Sequence, residues 1–380
     1  MTDGASTGPS RTIRFDDGRV VFFSAEEFIN KICATDCCFV CGTPRGSTPF
    51  NDEHVIPRWI VSRYGLFKKQ ITLPNGHKHS YGTYKMPCCA ACNSLLGNLI
   101  ESPISEMLDG SFELISEKLE DEGPMGAAHR ENLYIWLCLL FIKTHLKDRH
   151  LREHLDFRLG GARIADQYDW LPLHHIHCVA RMPYVTGSIL SDVVGTMCWY
   201  RIDDPTVEDQ FDYFDLTNDH TIAIRLGEIG IVAVLTDAGA CRSAWHSQLM
   251  ELQGKTLTMA QLRELAARLA MANRDLLNRP TFFTFFQRNA LPPKAVIVSQ
   301  QDGAPVFADC NPSEFGGVLE AALASYLPAL KLGAEDLEES KSALIAAGKV
   351  SFLFDKNQHF IRRIIPREAQ SSSPSRGQDA

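Results

Sequence analysis

The sequence predicts an α+β protein in which a small metal-stabilised module precedes a larger mixed α+β domain. Three observations carry this expectation. Cys38-x-x-Cys41 and Cys89-x-x-Cys92 are thiol pairs at the spacing of a tetrahedral structural zinc site, which can fold a module too small to bury a full core. From Arg130 to about Asp156 apolar residues recur at helical spacing, with Leu133, Trp136, Leu137, Leu140 and Phe141 on one face. Short β-like runs separated by turn residues come after it. A chain of 380 residues, 45% hydrophobic, is long enough for two or three domains with real cores.

Taken in order, residues 1–32 read as a leader. Its first eleven positions are Gly/Ser/Thr-rich and loose, and Thr12–Phe23 forms a short hairpin turning at Asp16-Asp17-Gly18. Ser24 then caps a short helix through Glu27. The cysteine module spans 33–110. A charged helix over Ile115–Glu122 ends at Gly123-Pro124 and begins the larger domain, 111–368. After the 130–156 helix, the predicted strands are Ile176–Arg181, Val193–Trp199, Phe211–Leu216, Thr221–Leu226 and Ile229–Leu235. Thr258 and Gln261 form a capping box for a helix running through Leu262, Leu265 and Leu269 to Leu276 and Leu277 before Pro280. Strands are expected again at Ala295–Ser299, Val350–Phe354 and His359–Ile365, and residues 369–380 as a disordered tail.

The formal charge of −8 gives no global pointer to nucleic acid. Between Asn51 and Ile100, however, six basic residues face two acidic ones, a local charge of +4. A basic surface of this kind suits phosphate, so Arg58, Arg63, Lys68, Lys69 and Lys85 are candidate contacts. Seven of the 12 cysteines lie in the first hundred residues, which favours metal over disulfides. Spacing selects Cys38, Cys41, Cys89 and Cys92, with Cys37 and Cys88 as competitors. Cys33, Cys138, Cys178, Cys198, Cys241 and Cys310 read as small buried hydrophobes. Met1–Asp17 has no apolar stretch and the longest apolar run, Leu133–Ile142, is too short to span a bilayer, so a soluble cytoplasmic protein without membrane contact is expected.

Between the knuckles lies Glu53-His54-Val55-Ile56-Pro57, and Asn93 comes directly after the second knuckle. A histidine titrates near neutral pH and can deprotonate water, and a carboxylate can hold a hard divalent cation. Alternation along a strand separates neighbouring side chains, so Glu53 and His54 need a strand end or bend to serve one phosphate. Asn93 opens what reads as a helix over 93–101, on which Asn93, Gly97 and Glu101 are four apart and share one face; the plainer alternative makes Asn93 its N-cap and Glu101 a solvated residue.

Together Cys38-x-x-Cys41, Glu53-His54-x-x-Pro57 and Cys89-x-x-Cys92-Asn93 resemble the HNH, or ββα-metal, endonuclease superfamily, over about residues 36–108. The resemblance implies a β-hairpin and helix around one divalent ion, Mg²⁺ or Mn²⁺. His54 would be the general base, Glu53 a metal ligand, and Asn93 the residue that orients the base-bearing loop. No histidine appears after Asn93 until His129, so the last ligand falls to Glu101, with Asn98 and Glu106 as weaker candidates. The implied substrate is DNA, with RNA as the alternative polymer, and the products carry 5′-phosphate and 3′-hydroxyl ends. Family analogy also suggests a bacterial restriction or anti-phage effector whose second domain handles targeting, oligomerisation or an activating ligand. The rival expectation is a zinc-knuckle module that grips nucleic acid or protein without cutting. In the remainder nothing names a reaction. His77 and His79 read as loop residues. His174-His175-x-His177 reads as strand alternation, Asp212, Asp215 and Asp219 as strand-and-turn acids, and Phe282-Phe283-x-Phe285-Phe286 as core or interface.

Overall fold

The computed structural model describes residues 11–154, 156, 158, 161–326, 343, 345–348 and 350–362. Positions 1–10, the tail 369–380 and the last three residues of the strand expected at His359–Ile365 lie outside them. The chain opens with β1 (Ile13–Arg14) and β2 (Val20–Phe22), an antiparallel hairpin, then α1 (Ala25–Glu27), capped by Ser24, and a π-helical turn, Phe28–Cys33. The module comprises β3 (Phe50–His54), α2 (Arg58–Arg63), β4 (Gln70–Thr72), β5 (Lys78–Ser80), β6 (Lys85–Cys89), α3 (Ala90–Leu96), a π-helical turn at Gly97–Glu101, and α4 (Ser102–Met107). Helices α5 (Phe112–Glu120), α6 (Pro124–Asp148) and α7 (Leu173–Ala180) come next.

The second half is built on sheet. Strands β7 (Ser188–Ile189), β8 (Met197–Ile202), β9 (Phe211–Leu216), β10 (Thr221–Leu226) and β11 (Ile229–Val234) precede α8 (Ala240–Ala244), α9 (His246–Leu252) and β12 (Thr256–Leu257). Then come α10 (Met259–Asp275), β13 (Thr281–Gln287), β14 (Lys294–Gln300) and α11 (Pro312–Leu323). One sheet has the order β12-β8-β11-β10-β9 and the other β13-β14-β7. The result is a mixed α+β protein. Helix α10 starts at the predicted capping box, with the Thr258 hydroxyl accepting from the Gln261 amide, and buries Leu262, Leu265 and Leu269 against the five-stranded sheet. Leu276 and Leu277 fall beyond its end.

Several elements differ from expectation. The strand expected at Ile176–Arg181 is mostly helix α7. Its residues are buried nearly all round, which erases the one-sided pattern that tells helix from strand. Helix α6 starts at Pro124, a favoured first helical position, rather than at Arg130, and stops at Asp148 rather than near Asp156. The strand expected at Val193–Trp199 begins at Met197, after a 3₁₀ turn at Ser191–Val193. Near the end of the described chain, only an isolated Phe354–Phe360 bridge stands where two strands were expected.

The boundary expected near residue 110 does not separate two cores. One buried cluster holds Phe23, Cys38, Val55, Cys88 and Leu96 of the first part together with Trp136, Leu140, Ile176 and Ile231 of the second. Polar ties reinforce it. Arg181, the C-cap of α7 and 2% exposed, donates to the carbonyls of Val40 (2.6 Å), Val21 (2.7 Å) and Val20 (2.8 Å). His177 and His174 Nε2 reach the Phe39 and Phe23 carbonyls at 2.8 and 2.9 Å. Within the triple-histidine segment, His177 thus docks on the first knuckle, His174 on the chain after β2, and His175 stacks on Phe282. The acids at 212, 215 and 219 are also structural. They pair with Arg263, His145 and Arg274.

Candidate metal centre and hydrolytic site

The two knuckles meet because β3 and β6 pair antiparallel, with Phe50 opposite Cys89 and His54 opposite Lys85. In the first knuckle the Cys38 carbonyl accepts from the Gly42 amide at 2.8 Å, a turn that requires φ +72° at Gly42. In the second, the Ala90 amide donates to the Pro49 carbonyl at 2.9 Å and opens α3. The sulfurs of Cys38, Cys41, Cys89 and Cys92 come within 4.8 Å of one another. Cys41 and Cys89 are 3.8 Å apart, and the edge of a tetrahedron with ~2.3 Å zinc–sulfur bonds is about 3.8 Å. Four thiols so placed can hold a structural metal such as zinc. Of the competitors, Cys88 lies 3.8 Å from Cys38 yet outside this set, and the Cys37 thiol turns to the Lys31 carbonyl at 3.5 Å. Among the remaining cysteines, Cys310 is exposed and Cys198 half-buried, against the expectation that all are buried.

His54 is the last residue of β3, with a bend at Val55-Ile56 before Pro57 and α2. Its imidazole is half-buried and holds its proton less tightly than usual. Partial burial is the main cause; Lys85, Lys143 and Arg58 add to it, and Glu53 opposes it. Glu53 is buried on β3, and Glu101 reaches the same place from the π-helical turn after α3. What lies between them is Lys143 of α6. Its Nζ donates to Glu53 Oε1 at 2.8 Å, to Glu101 Oε1 at 3.0 Å and to the His54 carbonyl at 2.9 Å. Burial pushes the Glu101 carboxyl up to about 7, with Lys143 pulling the other way. Burial alone would lower Lys143, but Glu101 and Glu53 outweigh it and hold the ammonium above its usual range. Breaking one leg of such a buried set typically costs ~3–5 kcal/mol.

Asn93 lies inside α3, not at its cap, which is Cys89. Its Nδ2 donates to Asn51 Oδ1 at 3.0 Å, three residues before His54 on the same strand. Glu101 and Asn93 therefore serve different contacts. Of the weaker ligand candidates, Asn98 and Glu106 are exposed and neither enters the Lys143 contacts.

The candidate phosphate contacts divide in two. Arg63 is spent on structure, since it donates to the Leu108 and Ser105 carbonyls at 3.0 and 3.2 Å and lies over the Trp59 ring. Lys69 pairs with Asp209. Arg58 and Lys68 are exposed, and Lys85 stands opposite His54. His79 sits in β5 rather than in a loop, with Nδ1 3.1 Å from the Ser80 carbonyl. A cleft of about 1340 Å³ between α5, β8 and α9, lined by residues such as Trp199, Arg201 and Arg242, contains none of the predicted site residues.

Lys143 is the site residue that sequence reasoning missed. Its signal was present, as the first charge after the apolar run Leu133–Ile142, on a helix buried all round from Leu133 to Leu146. A buried lysine requires an acid partner, but which acid depended on the packing. No helix among the described residues is long and apolar enough to cross a membrane. Comparison with protein-family models, with curated proteins and with solved structures returned no match, so the functional reading rests on these residues.

Proposed function

We propose that this chain is a zinc-stabilised phosphodiester hydrolase of HNH type, with His54 as the general base. The observation that carries the reading is the β3–β6–α3 unit closed by four thiols. It sets a half-buried histidine at a strand end, opposite Lys85, with Asn93 tied to the base-bearing strand. An imidazole with a depressed proton affinity is neutral at pH 7 and free to accept a proton from water. Lys85 and Arg58 supply positive charge beside it to offset the negative charge growing on the phosphate. Asn93 holds β3 through Asn51 and so fixes where the imidazole stands.

A Mg²⁺-class ion on Glu53 and Glu101, which the resemblance implies, does not fit this donor set. Both carboxylates already satisfy one ammonium, and a hard divalent cation needs an uncommitted oxygen shell. DNA is the proposed polymer, with RNA the alternative. A role in anti-phage defence, an oligomeric state and an activating ligand belong to the same proposal by analogy. The test is degradation of plasmid and single-stranded RNA by the parent and His54→Ala, each with EDTA or Mg²⁺. Removal of a general base lowers the rate ~10²–10⁴-fold. Undiminished cutting by the variant would remove His54 from the mechanism. The parent's activity should also fall in acid, at a pH below the ordinary imidazole value, because protonated His54 cannot act as base.

A second reading is favoured by the same ion set. If the acid pair is closed by Lys143 for stability alone, the module is a zinc-knuckle binder that grips nucleic acid without cutting. Retained binding by both proteins, with no cutting by either, supports it.

A further inference from the structure

Glu53, Glu101 and Lys143 come from β3, the turn after α3 and the interior of α6, three segments far apart in the chain. An ammonium has three protons to donate, and Lys143 uses them on Glu53, Glu101 and the His54 carbonyl. The side chain is 1% exposed, and Phe141, Ile142, Leu146 and Leu140 around it on α6 are fully buried. We propose that Lys143 is the resident cation of this acid pair, standing where a divalent ion would otherwise sit, and that the site takes up no divalent ion while Lys143 is in place.

Charge and room both favour the lysine. Two carboxylates and one ammonium leave at most a single negative charge, too little to draw a strongly hydrated dication out of water. A dication seated between the same oxygens would also be pressed against the ammonium, and like charges repel strongly where little water screens them. Lys143 cannot swing aside to solvent without unpacking α6. The third leg, to the His54 carbonyl, gives the lysine a further consequence. It pins the strand end that carries His54, so α6 is a positioning element for the histidine.

The experiment uses the full chain with its cysteine site loaded with zinc, and reads Mn²⁺ uptake by electron paramagnetic resonance while zinc content is measured in parallel. Parent, Lys143→Met, Lys143→Met with Glu53→Gln, and Glu101→Gln are compared. The expected result is no Mn²⁺ retained by the parent, one Mn²⁺ per chain in Lys143→Met, and loss of that ion when Glu53→Gln is added. One Mn²⁺ in the parent that disappears in Glu101→Gln overturns the proposal, as does a folded Lys143→Met that takes up none. If Lys143→Met fails to fold, the comparison of parent with Glu101→Gln still decides: uptake by the parent alone refutes, and absence of uptake in both supports. No nucleic acid is present, so the outcome is independent of whether the chain hydrolyses phosphodiesters.

Discussion

At the scale of single residues, the site is a set of geometric requirements met by side chains of the right kind. Gly42 is the clearest. Its φ of +72° disfavours any side chain, and an added Cβ would meet the Phe23 ring at 2.9 Å and Lys31 at 3.1 Å. Gly42→Ala should therefore destabilise the zinc-loaded chain by ~1–3 kcal/mol, read as a lower denaturation midpoint. An unchanged midpoint would mean that the knuckle relaxes freely. Arg58 and Lys85, beside the histidine, are the phosphate contacts of the proposed hydrolase. Replacing either with Ala should weaken nucleic-acid binding uniformly across sequences and reduce the slope of affinity against salt by ~1. A sequence-dependent loss would assign them to base contact instead. The motif residues were legible because their chemistry depends on type and spacing. Arg63 and Lys69 meet protein oxygens, which spacing does not reveal because a surface cation looks the same in sequence whether it faces phosphate or a neighbouring protein oxygen.

At the scale of elements, two local departures shape the site. The π-helical turn at Gly97–Glu101 breaks the four-residue register that would align positions 93, 97 and 101 on one face. Asn93 then meets Asn51 while Glu101 meets Lys143. Helix α7 is the second departure. His174 and His177 are buried with no partner for Nδ1 among the described residues, and burial, with Arg181 nearby, holds both imidazoles neutral with proton affinity below the usual value. Between the depressed folded value and the ordinary 6.5 the unfolded chain binds more protons, so stability is full above pH 6.5 and is lost as pH falls below it. Each such group contributes at most ~1.4 kcal/mol per pH unit in that window. His177→Gln keeps an amide donor for the Phe39 carbonyl but does not titrate. Its melting temperature should therefore fall less steeply than the parent's as the medium is acidified from about pH 6.5 to about pH 5. Parallel curves would place the acid sensitivity elsewhere, for instance in the thiolates.

At the scale of the whole molecule, the module is not separable from the rest of the chain. Its knuckles, strands and helices share one buried cluster with α6 and α7, and its acid pair is closed by a lysine of α6. A fragment ending at residue 110 would leave Glu53 and Glu101 without their cation and expose the faces that α6 and α7 cover. Such a fragment should stay largely unfolded even with zinc, by circular dichroism and zinc stoichiometry. A folded, stoichiometrically zinc-bound fragment would refute this. Chelation of the full chain should loosen the first hundred residues before the five-stranded sheet: one face of that sheet shares the first cluster, but its other face is packed by α10 through a separate buried cluster. Amide exchange before and after chelation reads the difference.

The sequence by itself determined the paired knuckles, the strand-end histidine and the capping box at Thr258, because each is set by bonds within a few residues or by the metal's own geometry. It also determined the three strands from Phe211 to Val234, where turns and β-branched residues act locally. Only the tertiary structure decided that α7 is a helix, that the module and the larger part share a core, and that Lys143 closes the acid pair. The physical reason is that burial and long-range packing leave no local mark. A segment buried on every side carries no one-sided pattern, and the partner of a buried charge is chosen by packing between residues 42 and 90 positions apart.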